Sequence, residues 1–167
     1  MKFAFLSGGP GALVSGFVWI IAGLIAKFHS FQFSILALFF GGMLIYPLSA
    51  LIEGQINKSK TDTKDNPFVK LALEGTIFLF VGLFIAFALS RSKPELFYPI
   101  MLLIIGARYL TFQTIYGLRT YWMLGGLLLA LGIFFTLYST IPAYFAAMAG
   151  GIIEVLFAFY LFKGNKT

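Results

Sequence analysis

Two charged residues lie inside long apolar stretches of the chain. About ten residues of an apolar segment precede Arg108, and Glu154 lies at nearly the same depth in another such segment. A charge at the centre of a lipid bilayer costs at least about 2.5 kcal/mol on insertion scales. We therefore expect Arg108 and Glu154 to face each other, or a polar cavity, inside a helix bundle.

Polar and aromatic side chains follow Arg108 at helical spacing. Tyr109, Gln113 and Tyr116 recur at i, i+4 and i+7, and with Arg108 and Phe112 they cover an arc of roughly 140° at 100° per residue. Such an arc should face protein or water. Together with similar positions on other apolar segments it predicts a ligand-binding set: Arg108, Glu154, Tyr109, Gln113, Tyr46, Tyr116 and Glu74.

Two interpretations of this set are open. In the first, the residues line a cavity that opens to the cytoplasm, where Arg108 would bind an anionic group because its planar fork matches carboxylate or phosphate. In that cavity Glu154 is a candidate proton carrier. In the second, Arg108 and Glu154 form a buried pair that fixes helix packing, and tyrosines satisfy the remaining donors.

The sequence contains few combinations of residues that could form a catalytic site. The one histidine, His29, falls in a predicted outer loop, so the serines have no histidine partner at membrane depth. The absence of cysteine excludes a thiolate nucleophile and a cysteine metal site. No cluster has metal-ligand spacing, and the glycine-rich segment 8–11 precedes a helix without a preceding strand. We expect no enzyme activity, no catalytic residue, no metal and no cofactor.

Composition places these residues in a membrane protein. Hydrophobic residues make up 60% of the chain and charged residues 11%, and a phenylalanine-rich surface of this kind would aggregate in water. Six runs reach the roughly 20 residues that cross a bilayer. They predict an all-α integral membrane protein, a single domain over 1–167, with transmembrane helices at 10–27, 31–53, 67–90, 96–118, 121–138 and 142–162.

Local signals mark some helix ends. Pro10 suits the first turn of a helix, where its missing N–H is not needed. Ser92 followed by Glu95 resembles a capping box before the fourth helix. Pro47 lies inside the second run and should kink that helix or free a carbonyl.

The positive charge is distributed asymmetrically. With helices numbered in order, eight basic residues fall on the N-terminal side and three on the other, which by the positive-inside rule places both termini in the cytoplasm. We therefore predict a multi-pass protein of the bacterial inner membrane whose basic residues contact anionic lipid headgroups rather than nucleic acid. The two groups are Lys2, Lys58, Lys60, Lys64, Lys70, Arg119, Lys163 and Lys166, and Lys27, Arg91 and Lys93.

Glycine spacing predicts an internal repeat. Three pairs of glycines are seven residues apart: Gly16 and Gly23, Gly75 and Gly82, Gly125 and Gly132. Gly41-Gly42 and Gly150-Gly151 follow the first and third pairs at equal offsets. We predict three parallel two-helix hairpins (10–53, 67–118 and 121–163, with a cytoplasmic loop at 54–66) around a pseudo-threefold axis along the membrane normal. The glycines should let neighbouring helices approach closely.

Two stretches carry a family resemblance. Gly41-Gly42-Met43-Leu44-Ile45-Tyr46-Pro47-Leu48 and Ile105-Gly106-Ala107-Arg108-Tyr109-Leu110-Thr111-Phe112, continuing to Tyr116-Gly117-Leu118-Arg119, resemble an uncharacterised family of small bacterial six-helix membrane proteins. That family commonly has His at the position of Arg108 and Pro at that of Thr111. Because arginine stays charged, the departure argues against proton chemistry at 108. The architecture is also similar to that of HdeD-like acid-resistance membrane proteins. Neither resemblance implies an activity.

The sequence thus supports two functional hypotheses. The first is a non-enzymatic membrane protein that binds or conducts a small polar or anionic solute through the Arg/Glu/Tyr cavity. The second is a structural or stress-response membrane protein in which the Arg108–Glu154 pair organises the bundle. Lipids are the expected partners in both, and oligomerisation is compatible with either.

Overall fold

The predicted helices are present. The computed structural model describes residues 8–56 and 67–164, and within these ranges each predicted run coincides with one α-helix. The largest difference is at the end of the second helix, which reaches Ile56 instead of residue 53. The helices are α1 (Gly9–Phe28), α2 (Phe31–Ile56), α3 (Pro67–Ser90), α4 (Phe97–Tyr116), α5 (Thr120–Leu137) and α6 (Ala143–Gly164). The all-α fold is confirmed. The rest of the predicted loop after residue 56 lies outside the described residues.

Five of these helices are long and apolar enough to cross a membrane: α1, α2, α4, α5 and α6. Within α3 the described apolar stretch runs from Glu74 to Ser90. By length and composition, five of the six predicted spans are therefore confirmed.

The helix ends follow the local signals except at α4. Pro10 lies in the first turn of α1, as predicted. The predicted capping box is wrong: the backbone N–H of Ser92 donates to the carbonyl of Leu89 (3.1 Å), so Ser92 still belongs to the turn that ends α3. Pro94 then begins a 3₁₀ turn that leads into α4 without a side-chain cap at Lys93 or Leu96.

The chain forms two compact units. One comprises Met1–Asp62 with Met148–Thr167, and the other comprises Thr63–Ala147. In the first unit α1 packs against α2 and against the later part of α6. In the second unit α4 packs against both α3 and α5, so α4 is its central helix.

Each unit contains one close helix crossing between glycines. In the first, a Cβ added at Gly16 would lie 2.7 Å from the carbonyl oxygen of Gly151, and one added at Gly151 would lie 2.6 Å from that of Gly16. In the second, the corresponding distances are 2.7 Å from Gly125 to Gly106 and 3.0 Å from Gly106 to Gly125. The predicted packing role is confirmed at these glycines, because no larger residue fits such backbone approaches.

Candidate functional site

Arg108 lies close to the midpoint of α4. The helix runs from Phe97 to Tyr116, and Arg108 is about 2 Å from its centre at 1.5 Å per residue. Its side chain is partly exposed. The length and apolarity of this helix are those of a membrane span, and the middle of a span is the position at which a charge is most costly.

The side chain of Arg108 extends along α3. Its Nη2 donates a hydrogen bond to Oγ1 of Thr76 (3.1 Å). The Cγ and Nε atoms of Arg108 lie 3.8 Å from the point that a Cβ of Gly75 would occupy, an ordinary van der Waals distance, so the arginine stem passes beside this glycine. Gly75 and Thr76 are therefore the residues of α3 beside which the Arg108 side chain lies.

One aromatic ring contacts the guanidinium directly. The Cζ of Arg108 lies 5.3 Å from the ring centroid of Phe112, one helical turn further along α4. At this distance the ring quadrupole attracts the cation. Thr76 and Phe112 thus fix the guanidinium from two different helices.

Phe112 belongs to an aromatic cluster of four rings: Tyr109, Phe112, Tyr116 and Tyr121. Phe112 meets the other three edge-on, at centroid distances of 5.3 Å (Tyr109), 5.6 Å (Tyr116) and 5.5 Å (Tyr121). Tyr121 of α5 stacks on Tyr116 (5.5 Å) and lies nearly parallel to Tyr109 (6.0 Å). Each pair adds about 0.5–1.5 kcal/mol beyond its buried area, so the cluster holds the C-terminal half of α4 rigidly against α5.

Exposure divides this cluster into two layers. Tyr109 and Tyr121 are buried, whereas Phe112 and Tyr116 are partly exposed, as is Arg108. The three partly exposed residues stand at i, i+4 and i+8, and we call them the α4 stripe. The stripe places a cation and two aromatic rings along one accessible line of α4, with tyrosines packed behind it.

The second unit therefore brings together three members of the predicted ligand-binding set. Arg108 reaches Tyr109 and Tyr116 through Phe112. Gln113, on the same helix, is partly exposed, and its backbone carbonyl accepts a hydrogen bond (2.7 Å) from the N–H of Gly117. Glu74 is exposed on α3, two residues before Thr76.

In the first unit, Glu154 lies at the middle of α6 and its side chain is only 1% exposed. Ala158, one turn further along the same helix, is fully buried as well. Tyr46 on α2 is 78% exposed. The pairing of Arg108 with Glu154 stays a prediction.

Several residues at these sites were missed by sequence reasoning. Thr76 gave no signal of its own, because a lone threonine on an apolar helix is unremarkable until the register of the facing helix is known. Tyr121 had a usable signal, since only the short turn after Gly117 separates it from Tyr116.

The arrangement can recognise an anion and offers hydrogen bonds beside it. Arg108 supplies a fixed positive charge with several N–H donors, and the tyrosines of the aromatic cluster supply hydroxyl groups. Among the described residues, no group of three or more His, Cys, Asp or Glu side chains could hold a metal ion. Binding of an anionic or polar group is thus the chemistry this geometry favours.

Residues 1–164 match the family of unknown function DUF7010, and the chain belongs to that family. Neither a curated protein nor a solved structure matches the chain. The predicted membership of a family without an established activity is confirmed, whereas its bacterial origin and the likeness to HdeD-like proteins stay predictions.

Proposed function

We propose that the protein binds or conducts a small polar or anionic solute within the membrane, and that Arg108 is the group that recognises it. The observation that supports this most is the partly exposed Arg108 side chain near the midpoint of α4, held by Thr76 and Phe112. A charge at that depth costs free energy, and a neutral residue could pack there instead. A role in recognising the solute is a reason for an arginine, rather than a neutral residue, at position 108.

The contacts that hold the Arg108 guanidinium in place favour the binding of an anion. A guanidinium already held on one side by a hydroxyl and on one face by a ring loses little side-chain entropy when an anion arrives. Guanidinium N–H groups are suited to donate to the oxygens of carboxylate or phosphate. Gln113 and Tyr116, on the same helix, are proposed to add hydrogen bonds, and Glu154, Tyr46 and Glu74 complete the proposed set. We propose no catalytic role for any of them.

The membrane arrangement is part of the proposal. We infer that α3, which is 24 residues long, also crosses the bilayer. The basic residues of the connecting segments favour the bacterial inner membrane with both termini cytoplasmic.

The glycine crossings favour the proposed hairpin repeat. In each unit, the first helix of one hairpin meets the second helix of another at a glycine pair: Gly16 with Gly151, and Gly125 with Gly106. Gly16 and Gly125 occupy equivalent positions in their hairpins. We therefore propose three hairpins around a pseudo-threefold axis.

The test is anion-dependent thermal stability in detergent. A panel of sodium salts at constant ionic strength, including phosphate and carboxylates, is compared on the wild type and on Arg108→Ala. We expect at least one anion to raise the Tm of the wild type and to leave that of Arg108→Ala unchanged. Arg119→Ala is the matched control, because Arg119 is exposed at the start of α5 and should leave the response intact. A panel in which no anion acts through Arg108 would contradict the proposal.

A structural role is the second candidate, and the hydrogen bond from Arg108 to Thr76 favours it because it joins α3 to α4. The two candidates differ in what Arg108→Met does without ligand. If Arg108 serves binding, the variant melts at or above the wild-type temperature, since a membrane-depth charge is removed. If Arg108 organises the bundle, the variant melts well below it.

A further inference from the structure

The outward side of α2 carries a polar side chain at membrane depth. Of the most apolar stretch of α2, 6% is buried, against 28–44% in the other four spans. Tyr46, on this side, is 78% exposed. It lies about 7 Å from the middle of the span Phe31–Ile52, at 1.5 Å per residue. Long side chains in helices lean towards the helix N-terminus, and for Tyr46 this is the direction of the centre of the span.

Pro47 leaves a hydrogen-bond acceptor close to this tyrosine. It lies inside α2, and it has no N–H to donate to the carbonyl of Met43, four residues earlier. Prolines are tolerated in transmembrane helices because a neighbouring group satisfies the freed carbonyl. Ser49 does not supply the donor, since its Oγ donates to the carbonyl of Tyr46 (2.9 Å). A donor, the hydroxyl of Tyr46, and an acceptor therefore lie three residues apart in hydrocarbon, where neither can bond to water.

Small residues leave room for a second helix against this side. Gly42 and Ala50 lie one turn before and one turn after Tyr46. No described atom lies within 4 Å of a Cβ added at Gly42, whereas one added at Gly41 would meet Val18 of α1. Thus α1 covers the other side of α2, and small residues allow another helix to approach closely here. We call the uncovered side the Tyr46 face: Gly42, Met43, Tyr46, Pro47 and Ala50.

The donor and the acceptor of the Tyr46 face are complementary to those of a second copy. Two copies of one chain insert with the same orientation, so a twofold axis along the membrane normal makes their α2 helices parallel, with equal residues at equal depth. Met43 precedes Tyr46 by about 4.5 Å along the helix, in the direction in which the tyrosine side chain leans. The hydroxyl of one copy therefore reaches the depth of the free carbonyl of the other, and symmetry makes two such bonds.

We propose that the Tyr46 face is the interface of a homodimer in the membrane. The hydroxyl of Tyr46 donates to the carbonyl of Met43 in the second copy, and Gly42 and Ala50 line the contact between the two α2 helices. This inference goes beyond the proposed function and does not depend on it, because Arg108 belongs to the other unit of the chain. Of the proposed solute-binding set, it involves Tyr46 alone.

The test measures dimerisation of the full-length protein in phosphatidylcholine/phosphatidylglycerol vesicles. Donor- and acceptor-labelled protein is reconstituted over a range of protein-to-lipid ratios, and energy transfer gives the dimer Kd. Tyr46→Phe keeps the ring and removes the hydroxyl, so we expect it to raise the Kd roughly tenfold, the effect of losing two hydrogen bonds between membrane helices. Tyr160→Phe is the matched control: Tyr160 is 61% exposed on α6, and its replacement should leave the Kd unchanged. A wild type that stays monomeric at every ratio, or a Tyr46→Phe variant with the wild-type Kd, would overturn the proposal.

Pro47→Ala tests the acceptor. The alanine restores an N–H to the carbonyl of Met43, so the Kd should rise, and Tyr46→Phe should have little further effect in this background. Equal effects of Tyr46→Phe with and without Pro47 would show that the hydroxyl binds another acceptor and would contradict the assigned bond.

Single cysteines locate the interface, because the chain has none of its own. Ala50→Cys should give disulfide-linked dimers in the vesicles on oxidation. Leu51→Cys is the control, since Leu51 is 63% exposed at the same depth but about 100° around the helix, and it should not cross-link. Cross-linking through Leu51→Cys and not through Ala50→Cys would place the contact on another side of α2 and refute the proposed interface.

Discussion

The glycine crossing between α4 and α5 gives the sharpest prediction about packing. A Cβ added at Gly125 would lie 2.7 Å from the carbonyl oxygen of Gly106 and 2.8 Å from Cδ2 of Leu110. Ordinary van der Waals contact begins at 3.4 Å, so in Gly125→Ala the helices must separate by about 0.7 Å along the line to the oxygen. The oxygen is part of the α4 backbone and cannot rotate away as a side chain could.

The neighbouring glycine provides the reference. No described atom lies within 4 Å of a Cβ added at Gly126, although both glycines are in the same turn of α5. Replacement by alanine gains about 1 kcal/mol of helix propensity at either position. Overpacking costs about 1–3 kcal/mol, and only Gly125→Ala suffers it. The propensity gain cancels in the comparison, so Gly125→Ala should be less stable than Gly126→Ala by about 1–3 kcal/mol.

The assay is reversible unfolding in mixed micelles by titration with a denaturing detergent. The free energy of unfolding is compared for wild type, Gly125→Ala and Gly126→Ala under one set of conditions. Equal free energies for the two variants would refute the argument that the crossing at Gly106 requires glycine at 125.

Two further predictions concern the hydrogen bond between Arg108 and Thr76 and the orientation of the chain in the membrane. Thr76→Val keeps the shape of the side chain but removes the acceptor for Arg108 Nη2, so it should lower the free energy of unfolding by about 1 kcal/mol, a typical value for hydrogen bonds between membrane helices. Thr111→Val, which removes only a bond within α4, should cost less, and equal losses would contradict the assignment. Because the chain has no cysteine, Ser92→Cys and Ser59→Cys can each be labelled in intact cells with a membrane-impermeant maleimide. We expect labelling of Ser92→Cys alone, and the opposite pattern would reverse the proposed topology.

The helices were predictable because long runs of apolar residues make up most of the sequence. Each run of about 20 apolar residues had to satisfy its backbone hydrogen bonds internally, and a helix does this within one segment. The start of α4 was not predictable in the same way. Ser92 and Glu95 have the spacing of a capping box, but Pro94 between them begins a 3₁₀ turn, and the bonds of Ser92 close the end of α3.

The residues of the candidate site that lie on α4 were predictable from the sequence, whereas their partner on α3 was not. Helical periodicity alone places Arg108, Phe112 and Tyr116 in one row. The partner on α3, Thr76, depends on the register in which two apolar helices pack, and both helices present nearly uniform apolar surfaces from which no register can be read. Tyr121 lies between these cases, because the short turn that precedes it restricts where its ring can go.

Arg108 itself can be observed directly while a ligand binds. Arg91 and Arg119 are the other arginines of the sequence, so ¹⁵N-labelled protein in detergent gives three guanidinium Nε–H signals that single Arg→Lys variants assign. On titration with carboxylate and phosphate salts at constant ionic strength, we expect at least one of them to shift the Arg108 signal to saturation while those of Arg91 and Arg119 stay in place. An Arg108 signal that does not move, or three signals that drift together, would contradict the claim that this guanidinium recognises an anion.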